Sequence, residues 1–149
     1  MRKTFFDPTH RVEIVSRLGR LTPETPRRWG TMNAPRMVAH LRDQMAHCLG
    51  DQTPTPVPGI LRWSLLRHAS IYWIPWPKGR LKGPPDAFVT PPGDWSADIE
   101  DLIASVNRFA CRDIDGSWPD HALFGPMTGR DWGYFCFKHF DHHLRQFGQ

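Results

Sequence analysis

An all-α fold, four long helices with a long proline-rich crossover between the second and the third, is what this sequence predicts. Three observations carry that expectation. Four segments repeat apolar residues at helical spacing between recognisable start and stop signals. Most of the 15 prolines crowd into the middle of the chain, where they mark an ordered connection and not a tail. No segment alternates apolar and polar residues over a strand's length, apart from a few residues near "FVTPP" that read as extended.

The first helix is announced by "FDPTHRVEIVSRLGRL", with Asp7 as N-cap, Pro8 in the first helical position, and Val12, Ile14, Val15 and Leu18 as the apolar positions. In "NAPRMVAHLRDQMAHCLG" Asn33 caps, Pro35 falls in the first turn and Gly50 stops the second helix. Residues 51–94 form the crossover, too long to be featureless, with a short helix expected from Leu61 to Trp73. The third long helix lies in "DWSADIEDLIASVNRFACRD", burying Ile99, Leu102, Ile103, Val106, Phe109 and Ala110. The last, "TGRDWGYFCFKHFDHHLRQF", opens on a capping box from Thr128 to Asp131. Together these make a four-helix bundle with a crossover. At 149 residues and 17.2 kDa the chain, 1–149, is expected to be a single domain.

Composition excludes several classes. Hydrophobic residues at 40% and charged residues at 23% lie far from the disordered pattern. Three well-separated cysteines, Cys48, Cys111 and Cys136, build neither a disulfide framework nor a CxxC knuckle, so a reducing compartment is expected. The N-terminus lacks a secretory h-region, and the most apolar stretch is broken by Arg62, Arg67 and His68, so no membrane span is expected and the location is expected to be cytoplasmic. A formal charge of +4 and a pI near 9.3 allow attraction to anions, yet the basic residues are dispersed except for Arg27, Arg28 and the loop from Lys78 to Lys82. No nucleic-acid partner is expected from that distribution. GxSxG, P-loop, GxGxxG and HExxH patterns are missing from the sequence, which argues against those hydrolase, kinase and dinucleotide classes.

The histidines carry the chemistry. At roughly 100° per residue, His139 and His143 fall in the middle of the apolar face of the last helix, with Trp132, Cys136, Gln146 and Phe147, while His142 sits at its edge. Imidazoles in a core direction need partners for their nitrogens, which carbonyls, carboxylates or a metal ion can supply. An i, i+4 pair can ligate one divalent ion, and a third ligand must then come from another helix. His40 and His47, with Gln44 between them, flank the apolar stripe of the second helix and can reach the interior. Gln146 is a candidate cofactor-binding residue, either touching a ligand or bracing a ligating group. Cys136 reads as a small hydrophobe more than a fourth ligand, and Trp29 and Trp132 as core anchors more than a substrate platform. Asp98, Glu100 and Asp101 read as solvated or surface-paired carboxylates, and His121 as a loop-packing residue.

"RWGTMNAPRMVAHL", "PWPKG" and "LFGPMTGRDWGYFCFKHFDHHLRQFG" together resemble the DinB-like (YfiT-like) superfamily, in particular a bacterial branch known only as a domain of unknown function. The resemblance spans essentially the whole chain. It implies a four-helix bundle that holds one divalent metal, most often zinc or nickel, on three histidines. The histidine of "MVAHL" corresponds to His40 and the HxxxH of the last helix to His139 and His143, leaving His47 and His142 as extras. Better-studied relatives include transferases and isomerases that activate a low-molecular-weight thiol. The resemblance therefore implies a small-molecule substrate, with a thiol or water activated in an open metal position. It also makes a homodimer one expected assembly. The rival expectation is a non-catalytic, stress-related bundle that binds another protein.

Overall fold

The computed structural model describes residues 2–79 and 83–149, and its described residues form five α-helices and two 3-10 turns without a strand. Each of the four long helices starts where a side chain can take up the free N–H groups of its first turn. Asp7 accepts from Thr9 N–H and opens α1, Pro8–Leu18. Asn33 accepts from Arg36 N–H and opens α2, Ala34–Leu49, which Gly50 ends in a left-handed conformation at φ 81°. The short α3, Ser64–Tyr72, follows a 3-10 turn at Ile60–Arg62. A second 3-10 turn, Pro85–Phe88, precedes α4, Trp95–Ala110, whose cap Asp94 accepts from Ala97 N–H. Thr128 and Asp131 form the reciprocal capping box that opens α5, Gly129–Gln146.

α2 packs along α4 and beneath the second 3-10 turn, while α5 runs against α1, α2 and α3. The core between them is filled by Ile14, Leu18, Met37, Leu41, Leu102, Val106, Phe109, Trp132, Phe140 and Leu144, each buried. Full burial of one such side chain contributes about 1.5–3 kcal/mol. Phe5, outside any helix, is fully buried too. Its ring stands edge-on to Phe140 at 5.0 Å and its N–H donates to Gly133 O at 3.2 Å, so the N-terminal segment is stitched to α5.

Three local expectations need correction. Val12 points outward and is 68% exposed, because α1 faces α5 through Ile14, Leu18 and the buried Arg17. Arg17 Nη1 meets Asp141 of α5 at 2.8 Å. Asp98 is buried on α4, where it pairs with Arg42 and accepts Gly93 N–H at 2.8 Å. Asp101 and Glu100 are exposed as expected. The residues near "FVTPP" pair with no strand: Thr90 donates to Asp43, and Arg36 donates to Phe88 O and Thr90 O, so α2 side chains take the place of a ladder. Among the described residues an isolated bridge joins His121 and Gly125 instead.

The connection between α2 and α4 packs on α2 through its second 3-10 turn and on α5 through α3. Lys138 Nζ donates to Ser70 O and Ile74 O, each at 2.7 Å, and Tyr72 donates to Asp131 at 2.5 Å, so α5 holds the C-terminal end of α3. Burial pulls the Lys138 ammonium down to about 8. No described helix is long and apolar enough to cross a membrane. The basic loop expected from Lys78 to Lys82 falls partly on residues 80–82, outside the described residues.

Candidate metal centre

His40 of α2 and His139 and His143 of α5 meet at one point inside the protein. His139 Nε2 lies 3.1 Å from His40 Nε2 and 3.0 Å from His143 Nε2, and one nitrogen from each ring falls within 4.8 Å of the others. The helical spacing explains the pair: His139 and His143, one turn apart on α5, project side by side. His40 is brought opposite by the packing of α2 against α5. All three are buried.

The protons of these rings are fixed by their outer partners. His40 Nδ1 lies 2.6 Å from Ala87 O, which can only accept, so Nδ1 carries the hydrogen and Nε2 presents a lone pair. Gln146 Nε2 donates to Trp29 O at 2.8 Å, which turns its Oε1 toward His143 Nδ1 at 3.0 Å. His143 therefore also carries its hydrogen on Nδ1 and a lone pair on Nε2. Two lone pairs aim at His139 Nε2. A hydrogen there serves both poorly, and His139 Nδ1, buried, has no partner among the described residues. A divalent cation satisfies all three nitrogens. Atoms bound at about 2.0–2.1 Å to a common zinc stand roughly 3–3.4 Å apart at right-angled to tetrahedral geometry, which fits the separations of His139 Nε2 from His40 Nε2 and from His143 Nε2.

Burial keeps the rings neutral, the form that ligates. Desolvation lowers the His40 pKa against the pull of the Ala87 carbonyl, and takes His143 down to about 3, with His40 adding to it. His139 falls well below its ordinary value through burial first and then through His143 and His40. Phe88 stacks on His40 at 4.5 Å and 12°, in the turn that also supplies the Ala87 carbonyl. Neither residue was legible as part of a site in the sequence, since the crossover's path decides where they land.

The triad forms part of the wall of a cavity of about 400 Å³ that residues of the α2–α4 connection also line. Aromatic rings of Trp29, Trp76, Phe88, Phe124 and Phe135 make much of the remaining wall. Trp29 thus faces the cavity instead of anchoring the core, while Trp132 is fully buried and donates to Pro119 O at 3.0 Å. His142 stands at the cavity edge, 5.9 Å from the Trp76 ring and 6.2 Å from that of Trp29, outside the triad. His47 lies two turns along α2 from His40, where Asp43 and Asp86 raise a pKa that burial lowers more. Cys136 sits beside Cys48, fully buried, with its thiol pushed up by desolvation, and is not in the triad. His121 keeps the loop role expected of it, its Nδ1 accepting Leu123 N–H at 3.1 Å and Phe124 N–H at 3.3 Å. It also lines the cavity, which the sequence did not show.

Residues 7–149 match the profile of a family described as a protein of unknown function, DUF1569. No curated protein and no solved structure matches the chain.

Proposed function

We propose that this chain, which belongs to the DUF1569 family, is a divalent-metal-dependent enzyme of the DinB-like type that acts on a small molecule. One observation carries the reading: two imidazoles whose Nδ1 hydrogens are committed elsewhere turn their Nε2 lone pairs onto a third, beside an apolar cavity. In this reading α1, α2, α4 and α5 are the four helices of a bundle, and the crossover with α3 and the second 3-10 turn roofs the cavity.

His40, His139 and His143 would hold the ion, zinc or nickel by the resemblance and by the preference of imidazole for such metals. When bound, the ion supplies Lewis acidity that ionises a water or a low-molecular-weight thiol near neutral pH. The chain's own contributions are separate. Ala87 O and Gln146 Oε1 hold the tautomers and orientations of His40 and His143. Phe88, Trp76 and Phe135 exclude bulk water from the triad and offer apolar area to the substrate. Transfer to or hydrolysis of a small molecule in the cavity follows as the reaction class.

Metal analysis of untagged protein tests this. About one zinc or nickel per chain is expected, lost in His139→Ala and in His143→Ala while both variants stay folded by circular dichroism. A folded chain that takes up no divalent metal even after reconstitution overturns the reading. That result favours the second reading, a protein-binding module, which the exposed Trp63, Leu65, Trp73 and Ile74 along the crossover support.

A further inference from the structure

Beyond the triad, the cavity holds two polar groups that no protein partner satisfies. Gln44 lies one turn after His40 on α2, about 5–6 Å along the same face. It is buried, it lines the cavity, and its Nε2 has no hydrogen-bond partner among the described residues. His121 enters from the loop before α5 and is equally buried. Its Nδ1 accepts two backbone N–H groups, so its hydrogen sits on Nε2, and no described residue accepts it. A buried donor left without an acceptor costs about 1–3 kcal/mol, and Gln44 Nε2 is such a donor; with the His121 Nε2–H on the same cavity it points to something that accepts from both.

The two groups lie toward the same end of the cavity. α2 and α5 run antiparallel here, since His40 meets His139 and His143 while Cys48, two turns further on, meets the earlier Cys136. Gln44 therefore falls toward the Phe135 end of α5, and the His121 ring packs edge-on against Phe135 at 4.7 Å. Phe135 in turn lies 5.4 Å from the His139 ring. The donors are neutral, and no lysine, arginine or carboxylate lines the cavity among the described residues. A full anion would gain no counter-charge there, whereas a carbonyl oxygen needs only two N–H groups and apolar surroundings.

We propose that Gln44 Nε2–H and His121 Nε2–H form a carbonyl-binding subsite, which receives the oxygen of a small, largely apolar carbonyl compound about one helical turn from the triad. This rests on the enzymatic reading above for its purpose, since it deepens the substrate class of that site. It selects against analogues that lack the oxygen, because they leave both donors buried and unpaired.

Acetophenone and ethylbenzene, which share a carbon skeleton, separate the carbonyl from the apolar contribution. Both are titrated into chelator-treated protein, with binding followed by NMR and the carbonyl stretch of bound, isotope-labelled acetophenone followed by infrared spectroscopy. Acetophenone is expected to bind at least about tenfold more tightly than ethylbenzene, with its stretch moved to lower wavenumber. Gln44→Met removes one donor at nearly constant shape. His121→Asn keeps an acceptor for Leu123 and Phe124 N–H but places no N–H where the imidazole Nε2–H stood. Each is expected to weaken acetophenone about three- to tenfold, to leave ethylbenzene unchanged and to reverse part of the infrared shift. Equal affinity for the two ligands, or a stretch that neither substitution moves, overturns the subsite. Zinc uptake by the same samples is scored separately. Ketone selectivity without zinc uptake leaves the subsite standing and removes the metal reading, and zinc uptake without ketone selectivity does the reverse.

Discussion

Gln146 Oε1 and His143 Nδ1 stand 3.0 Å apart, and the direction of that hydrogen bond is set by a third group, the Trp29 carbonyl that holds Gln146 Nε2 at 2.8 Å. A loop carbonyl thus decides which nitrogen of a buried imidazole is free to ligate. Gln146→Leu keeps the size of the side chain but drops the acceptor, so zinc affinity is expected to fall about 10–100-fold with stoichiometry retained at saturating metal. Competition with a chromophoric chelator measures it. Unchanged affinity would mean that packing alone orients His143.

Acid should unfold the metal-free protein earlier than its carboxylates require. His143 and His121 both titrate near 3 when folded, because burial opposes their charging, against an ordinary value of 6.5. The unfolded chain therefore binds more protons between about pH 6.5 and 3, and stability falls as pH falls through that window, each histidine steepening the slope by up to ~1.4 kcal/mol per pH unit. His121→Asn removes one such group. Its urea-unfolding stability, compared with the wild type at pH 7.5 and 5, should show a shallower loss, and an identical loss would place the titration elsewhere.

Asp98 and Arg42 tie α4 to α2 through a pair whose carboxylate is nearly fully buried. Replacing Asp98 with alanine leaves Arg42 without its inner partner and Gly93 N–H without an acceptor. A loss of about 3 kcal/mol in chemical denaturation is expected. Asp101→Ala, which removes only the exposed partner of Arg42 at 3.0 Å, should cost under about 1 kcal/mol.

Gly133 is small because the N-terminal segment lies against it. A Cβ there would stand 2.5 Å from Thr4 Oγ1 and 2.8 Å from Phe6 Cδ2. Gly133→Ala is therefore expected to destabilise by about 1–3 kcal/mol despite the better helix propensity of alanine, as a lower thermal midpoint. A raised midpoint would show that residues 4–6 pack less tightly than their contacts indicate.

The sequence by itself determined the helices and the half of the site that lies within one of them. Caps at Asp7, Asn33 and Thr128 are local hydrogen bonds between neighbours in the chain, so they are readable without a fold. The pairing of His139 with His143 is equally local, a matter of one helical turn. His40 could be named as their partner only through resemblance, since periodicity left His47 open beside it. What the tertiary structure decided is everything that depends on where separate segments meet. The Ala87 carbonyl reaches His40 across 47 positions, Trp29 orients Gln146 from 117 positions away, and His121 and Gln44 share one cavity. Such contacts have no period or motif, because burial and hydrogen bonding between distant segments are set by packing of whole helices and not by the residues alongside them in the chain.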